Sequence, residues 1–218
     1  MNHGLRYLFF LCVVRPLIAV VLGLNVRHRE RLPRGGPAIV VANHNSHLDT
    51  LVLMSLFPPR MLCLLRPVAA ADYFLRNRFL AWFSTRIVGI IPIARQLETY
   101  HEDRIAPAAE ALQRGAILIL YPEGTRAAEP EHLQGFKTGI AHLAKRNPAV
   151  PIYPVFLYGL GKALPKGEAL LVPFFVDVFV GEPLTWEQAG ADRPAFMNAL
   201  AASMKALAAE GHLAGKVA

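Results

Sequence analysis

Apolar positions along this chain alternate between two periods. Short β-rich apolar runs that close on polar turns occur at AIVVAN (38–43), RMLCLL (60–65), IVGIIPIAR (87–95), AILILYPEGTR (116–126), PIYPVFLYG (151–159) and VPFFVDVFVGEPL (172–184), and each predicts a strand. Pro92 sits inside its run and cannot donate to a ladder, which predicts an edge strand or a bulge. Between these runs the spacing turns helical. DTLVLMSLF (49–57) runs until Pro58 and Pro59, and DYFLRNRFLAWFSTR (72–86) carries an aromatic face with Arg76, Arg78 and Arg86 around it. Further helices are predicted over about 103–114 up to Gly115, over 135–146, and over an Ala-rich 193–210 stopped by Gly211. Strands alternating with helices predict an α/β fold, a single domain with a mixed, largely parallel central sheet flanked by helices. No repeat, low-complexity tract or linker divides residues 31–218.

Residues 1–30 follow a different pattern. Tyr7–Val14 and Leu17–Leu24 are apolar runs separated by Arg15 and Pro16, so neither reaches the ~20 residues of a clean span. No small-x-small cleavage site follows, as a signal peptide would need. The segment reads as a kinked or paired helix lying in one leaflet, with Arg6, Arg15, Arg27, Arg29 and Arg31 near the headgroups. A tilted span with Arg15 snorkelling is the other reading.

Composition sharpens this picture. Of 218 residues, 54% are hydrophobic, and the mean hydropathy is +0.33. The formal net charge is +7 and the pI about 9.7. A basic, apolar chain suits an anionic membrane surface or an anionic substrate. Nucleic acid is not expected as a partner, since the chain has no C₂H₂ spacing, RNP aromatics or Lys/Arg tract. Cys12 and Cys63 lie in apolar runs and read as buried, reduced thiols, which points to the cytoplasmic face of a membrane.

Three strand ends carry polar clusters: 43–49, 89–95 and 121–126. Ligands of open α/β sheets bind where strands end and loops diverge. In the first cluster His44, His47 and Asp49 stand within six positions. Three such groups can hold a metal. Yet H-x-x-H-x-D lacks the glutamate of H-E-x-x-H and no cysteine cluster accompanies it, so no metal is expected. The alternative is proton transfer. A loop folding back over the helix start brings Asp49 to Nδ1 of His44 and leaves Nε2 for a hydroxyl proton. Asn43 or Ser46 is then the expected helix cap.

The chain resembles the glycerolipid acyltransferases, in particular the 1-acylglycerol-3-phosphate acyltransferases, over roughly 25–185. Four ordered blocks carry the resemblance. Asn43-His44…Asp49 matches N-H-x-x-x-x-D. Gly89–Arg95 matches an apolar strand closed by arginine. Glu123-Gly124-Thr125-Arg126, preceded by Pro122, matches the third block, and Val150–Val155 looks like the fourth.

The resemblance implies acyl transfer from a thioester, of acyl-CoA or acyl carrier protein, to the free hydroxyl of 1-acyl-glycerol-3-phosphate or a related lysophospholipid. His44 would be the general base and Asp49 its orienter, with His47 on a variable position. The thioester is a co-substrate and no cofactor is required. Arg95 and Arg126 would grip phosphate, Glu123 would hold glycerol oxygens or orient an arginine, and Gly124 would admit a close approach to the ligand. Thr125 belongs to the same block, and Lys137 is a further phosphate candidate. Ala127 in place of a common serine, Pro92 in place of an aromatic, and an acidic 127–135 loop leave the acceptor headgroup open. A non-catalytic lipid-binding protein of the same fold is the alternative reading.

Overall fold

The computed structural model describes residues 2–46, 48–74, 77–94, 103–125, 133–163 and 174–217. Seven strands of these residues form one sheet: β1 (Leu22–Arg27), β2 (Ala38–Ala42), β3 (Leu65–Ala70), β4 (Ile91–Ile93), β5 (Ile117–Leu120), β6 (Ile152–Tyr158) and β7 (Phe174–Val180). They lie in the order β1-β7-β6-β2-β5-β3-β4. Only β6 and β7 run antiparallel; the other neighbouring pairs are parallel. The central strand β2 is buried at every position, which is why its sequence is an unbroken apolar run. Residue parity along β2 divides the interior in two. Val40 faces a core with Leu53, Phe57, Val155 and Val178. Ile39 and Val41 face a second core with Leu112, Leu143, Phe156 and Phe196. Helices Ala106–Gln113, Gly139–Arg146 and Arg193–Val217 cover that second face.

Several boundaries differ from the sequence reading. The run at 60–65 is a 3₁₀ turn (Pro59–Met61) and loop; the strand begins at Leu65. The strand expected from residue 87 is shortened by a π turn over Ser84–Val88, so β4 holds only Ile91–Ile93. β4 is an edge strand, as Pro92 predicted. The last helix runs through Gly211 to Val217. A Cβ at Gly211 would meet the rings of Phe156 and Phe179 at 3.2–3.3 Å, so this glycine allows close packing on the sheet rather than ending the helix. Cys12 and Cys63 are both exposed, not buried.

The N-terminus departs most. His3–Val21 is one continuous helix and not a pair, with a π turn inside it. This π turn, at Phe10–Val14, precedes Pro16 and accommodates, within the helix, a residue that has no N–H to donate. The helical segment expected over 1–30 ends at Val21, and Leu22–Arg27 joins the sheet beside β7. Arg6, Phe10, Val14 and Ile18, four apart, point into the domain. The arginines expected at headgroups bond to backbone instead. Arg6, 1% exposed, donates to the Leu65 carbonyl at 2.8 Å. Arg15 donates to Ser55 and Phe57, Arg29 to Leu56 and Arg31 to Val180. Arg27 alone of the five remains exposed without such a bond.

Candidate active site

β2 ends at Ala42 and delivers Asn43 and His44 to the sheet edge. Asn43 does not cap the following helix. Its amide donates to the Leu157 carbonyl at 2.9 Å and accepts from the Leu157 N–H at 2.7 Å, so the side chain continues the β2–β6 ladder by two hydrogen bonds. Asn45 adds a second donor to the Leu157 carbonyl at 3.2 Å. These contacts fix the start of the loop against β6.

Asp49 is the first residue of the Asp49–Ser55 helix and is 0% exposed. One oxygen, Oδ2, receives three donors: His44 Nδ1 at 2.8 Å, the Asn45 N–H at 2.6 Å and the Ser46 N–H at 2.9 Å. The loop therefore closes on its own carboxylate. Among the described residues, Ser46 Oγ accepts from the Leu48 N–H at 3.3 Å. Because two amides already donate to Oδ2, the carboxylate acts as acceptor and His44 supplies the Nδ1 proton. The His44 side chain is 22% exposed and lines the neighbouring cavity; with Nδ1 bonded to Asp49, Nε2 is the ring nitrogen left for a substrate.

That cavity measures about 1140 Å³. His44, Tyr121, Thr125 and Lys137 supply polar groups at its wall, with Asp103, Arg104, Thr138 and His142 further round it, while Val68, Phe74, Ile93, Ala108 and Leu143 belong to the larger apolar part. An apolar cavity with a few convergent polar groups is the usual form of a small-molecule site.

Glu123 is 3% exposed and does not line the cavity; it lies on the Asp49 side. Burial first, then the charge of Asp49, raises its carboxyl from the ordinary 4.5 to about 7. The backbone N–H groups of Gln134 and His44 lie close enough to draw it partly back down, but neither oxygen has a hydrogen-bond partner at good geometry. Asp49 Oδ1 is likewise buried without one.

Gly124 has φ +73°, the left-handed region that favours glycine. A Cβ there would meet Lys137 Nζ at 2.7 Å, so the group approaching this backbone is the Lys137 side chain. The Lys137 N–H in turn donates to the Pro122 carbonyl at 2.8 Å, and Thr125 is exposed on the rim. The structure thus gathers His44, Asp49, Glu123, Gly124, Thr125 and Lys137. Arg95, Arg126 and His47 lie outside the described residues. Among those described, no three His, Cys, Asp or Glu side chains are grouped as a metal site.

Two residues given no role by the sequence stand in the site, Tyr121 and Thr50. The Tyr121 ring stacks on the His44 imidazole, centroids 4.2 Å apart at 21°. Its hydroxyl shares a 2.9 Å hydrogen bond with Thr50 Oγ1. Nothing in the spacing of Thr50 and Tyr121 announces that contact.

Residues 23–158 match the acyltransferase family. The chain belongs to that family. Among its relatives is the chloroplastic 1-acyl-sn-glycerol-3-phosphate acyltransferase of Arabidopsis thaliana, 29% identical over 163 residues, covering 74% of this chain and 43% of the relative. The N-acylphosphatidylethanolamine synthase of the same plant is 32% identical, covering 71% of this chain and 58% of its own. Tafazzin of Drosophila melanogaster is 29% identical, covering 76% and 47%. The chain spans about half the length of the curated relatives it matches. Its fold is that of the crystal structure of the 1-acyl-sn-glycerophosphate acyltransferase of Thermotoga maritima, with TM-score 0.72, 20% identity, and coverage of 95% of this chain and 79% of that one.

Proposed function

We propose that this acyltransferase-family chain moves a fatty acyl group from a thioester, of CoA or acyl carrier protein, to the free hydroxyl of 1-acyl-glycerol-3-phosphate or a related lysophospholipid. The observation that carries the reading is the His44–Asp49 pair, with His44 on the wall of a large, mostly apolar cavity. Nε2 takes the hydroxyl proton as the oxygen attacks the thioester carbonyl. The tetrahedral intermediate then expels the thiolate, which recovers that proton from the imidazolium. Asp49 holds the ring in one tautomer and offsets its transient charge. The thioester is already activated, so the step needs no acyl-enzyme. Arg95 and Arg126, at positions that match the family's blocks, would grip the acceptor phosphate, with Lys137 as a third cation. Glu123 matches the family's acceptor-binding glutamate, but it is buried off the cavity wall on the Asp49 side and is given no contact with the acceptor.

The acceptor is membrane-borne, and the molecule offers a face for a bilayer. On the N-terminal helix Leu5, Tyr7, Leu8, Leu11, Val13, Leu17 and Val20 are exposed. Phe79 and Trp82 of the Arg78–Phe83 helix are exposed as well. Phe9 meets Phe83 edge-on at 5.2 Å, joining the two elements. A continuous apolar face of this size is expected to adjoin something other than water. The helix is also pinned to the domain along its inner stripe and through Arg6 and Arg15, which favours a helix lying along one leaflet over one crossing the bilayer. The leaflet proposed is the cytoplasmic one.

Because the relatives carry different names, the deciding experiment is a panel. Purified protein is offered labelled acyl-CoA and acyl carrier protein with lysophosphatidate, other lysophospholipids and phosphatidylethanolamine, each in anionic vesicles and in detergent. Acceptor-dependent transfer to a lysophospholipid hydroxyl is expected. Thioester hydrolysis alone, or no turnover with any pair, would overturn the reading.

A further inference from the structure

The mechanism above leaves Tyr121 without a task. Its ring covers one face of the His44 imidazole, and its hydroxyl is tied to Thr50, the residue after Asp49. His44 is therefore held twice from the first turn of one helix: at its edge by Asp49 and across its face through Thr50 and Tyr121. The two contacts do different things. A single hydrogen bond at Nδ1 sets the distance to Asp49 but allows the ring plane to swing. A stacked neighbour fixes that plane. Burial, and secondarily the charge of Asp49, push the Tyr121 phenol well above its ordinary range, so it keeps its proton for the Thr50 contact and is no rival base.

We infer that Tyr121 is a positioning residue for His44, its ring anchored to Thr50 so that Nε2 stays aimed into the cavity during proton transfer. The inference rests on the reading of His44 as general base. The electron-rich face of the phenol also suits the imidazolium that forms during turnover.

The test compares Tyr121→Leu, Tyr121→Phe, Thr50→Val and the Tyr121→Phe/Thr50→Val double variant, each checked by Tm. Tyr121→Leu is expected to lose on the order of 10–100-fold in kcat, the scale of a displaced reacting group, with acceptor KM little changed. Tyr121→Phe keeps the stack and should lose only a few-fold. Thr50→Val should lose as much as Tyr121→Phe and the double variant no more than either, since all three remove one hydrogen bond. Should the leucine protein fail to fold, this cycle carries the test. Nitrogen NMR of labelled imidazole gives a readout apart from activity: one sharp His44 form in the unaltered and phenylalanine proteins, a broadened one in Tyr121→Leu. Full kcat in Tyr121→Leu, a phenylalanine variant as poor as leucine, additive losses in the cycle, or an unchanged imidazole spectrum in Tyr121→Leu would each overturn the inference. If His44→Ala instead retains activity, the base reading fails, while the imidazole spectrum still decides whether Tyr121 holds the ring.

Discussion

The two ends of the Asp49–Ser55 helix are finished in opposite ways. At its C-terminal end Arg15 and Arg29, reaching in from the N-terminal segment, donate to the carbonyls of Ser55, Leu56 and Phe57. Cations there match the negative end of the helix dipole and satisfy its free carbonyls. At the N-terminal end a carboxylate also matches the dipole, yet the bonding stays incomplete. Asp49 gathers three donors on Oδ2 and none on Oδ1, Glu123 has none on either oxygen, and His44 keeps Nε2 for a substrate. A buried polar atom without a partner costs about 1–3 kcal/mol. Charge that is bonded to backbone carbonyls at one end of a helix and left with open acceptors at the other distinguishes the end that holds the fold from the end that meets a substrate.

The strongest way to break this contrast is Asp49→Asn. The amide keeps the volume and can still accept from the Asn45 and Ser46 N–H groups, but it cannot offset an imidazolium. Acyl transfer should fall by about 10²–10⁴-fold with the folded state retained. Activity close to that of the unaltered protein would place the reactive charge elsewhere.

Arg15→Met acts at the other end. It keeps most of the aliphatic stem and removes the donors to Ser55 and Phe57. A loss of about 1–3 kcal/mol in stability is expected, seen as a Tm lower by several degrees, with kcat on detergent-dispersed substrate unchanged. A fall in kcat at constant Tm would contradict the assignment of this end to structure.

Glu123 gives the smallest effect and the sharpest sign. Its carboxyl is raised from 4.5 to about 7, so between these values the folded protein holds a proton that the unfolded chain has released. The stability tied to that proton is full below 4.5 and is lost as pH rises toward about 7. Glu123→Gln removes the slope. Its Tm advantage over the unaltered protein should grow across that window; an advantage that is constant or shrinks would show that the site is not buried beside Asp49 as described.

How far the sequence foretold this depends on the reach of each contact. The His44–Asp49 pair spans five residues of one loop, so the spacing alone made their meeting reasonable. The partners that shape the pair come from far along the chain. Leu157 pairs with Asn43 from β6, and Tyr121 covers His44 from the end of β5. Spacing carries no trace of either. The central strands were legible because both their faces are buried. β1 was not: LGLNVR alternates inward and outward as an edge strand should, but it continues an apolar helix and was absorbed into it. The arginines of residues 1–31 misled for a related reason. A basic residue in an apolar run suggests headgroups, whereas a folded domain also offers helix-end and strand carbonyls to the same side chain.

The assignment of His44 as the base is tested by labelled acyl transfer by folded His44→Ala protein beside His47→Ala, with Tm recorded for both. His44→Ala is expected to lose about 10²–10⁴-fold at unchanged Tm, while His47→Ala keeps most of its activity. An active His44→Ala protein, or an inactive His47→Ala protein beside it, would contradict the assignment of His44 as the base.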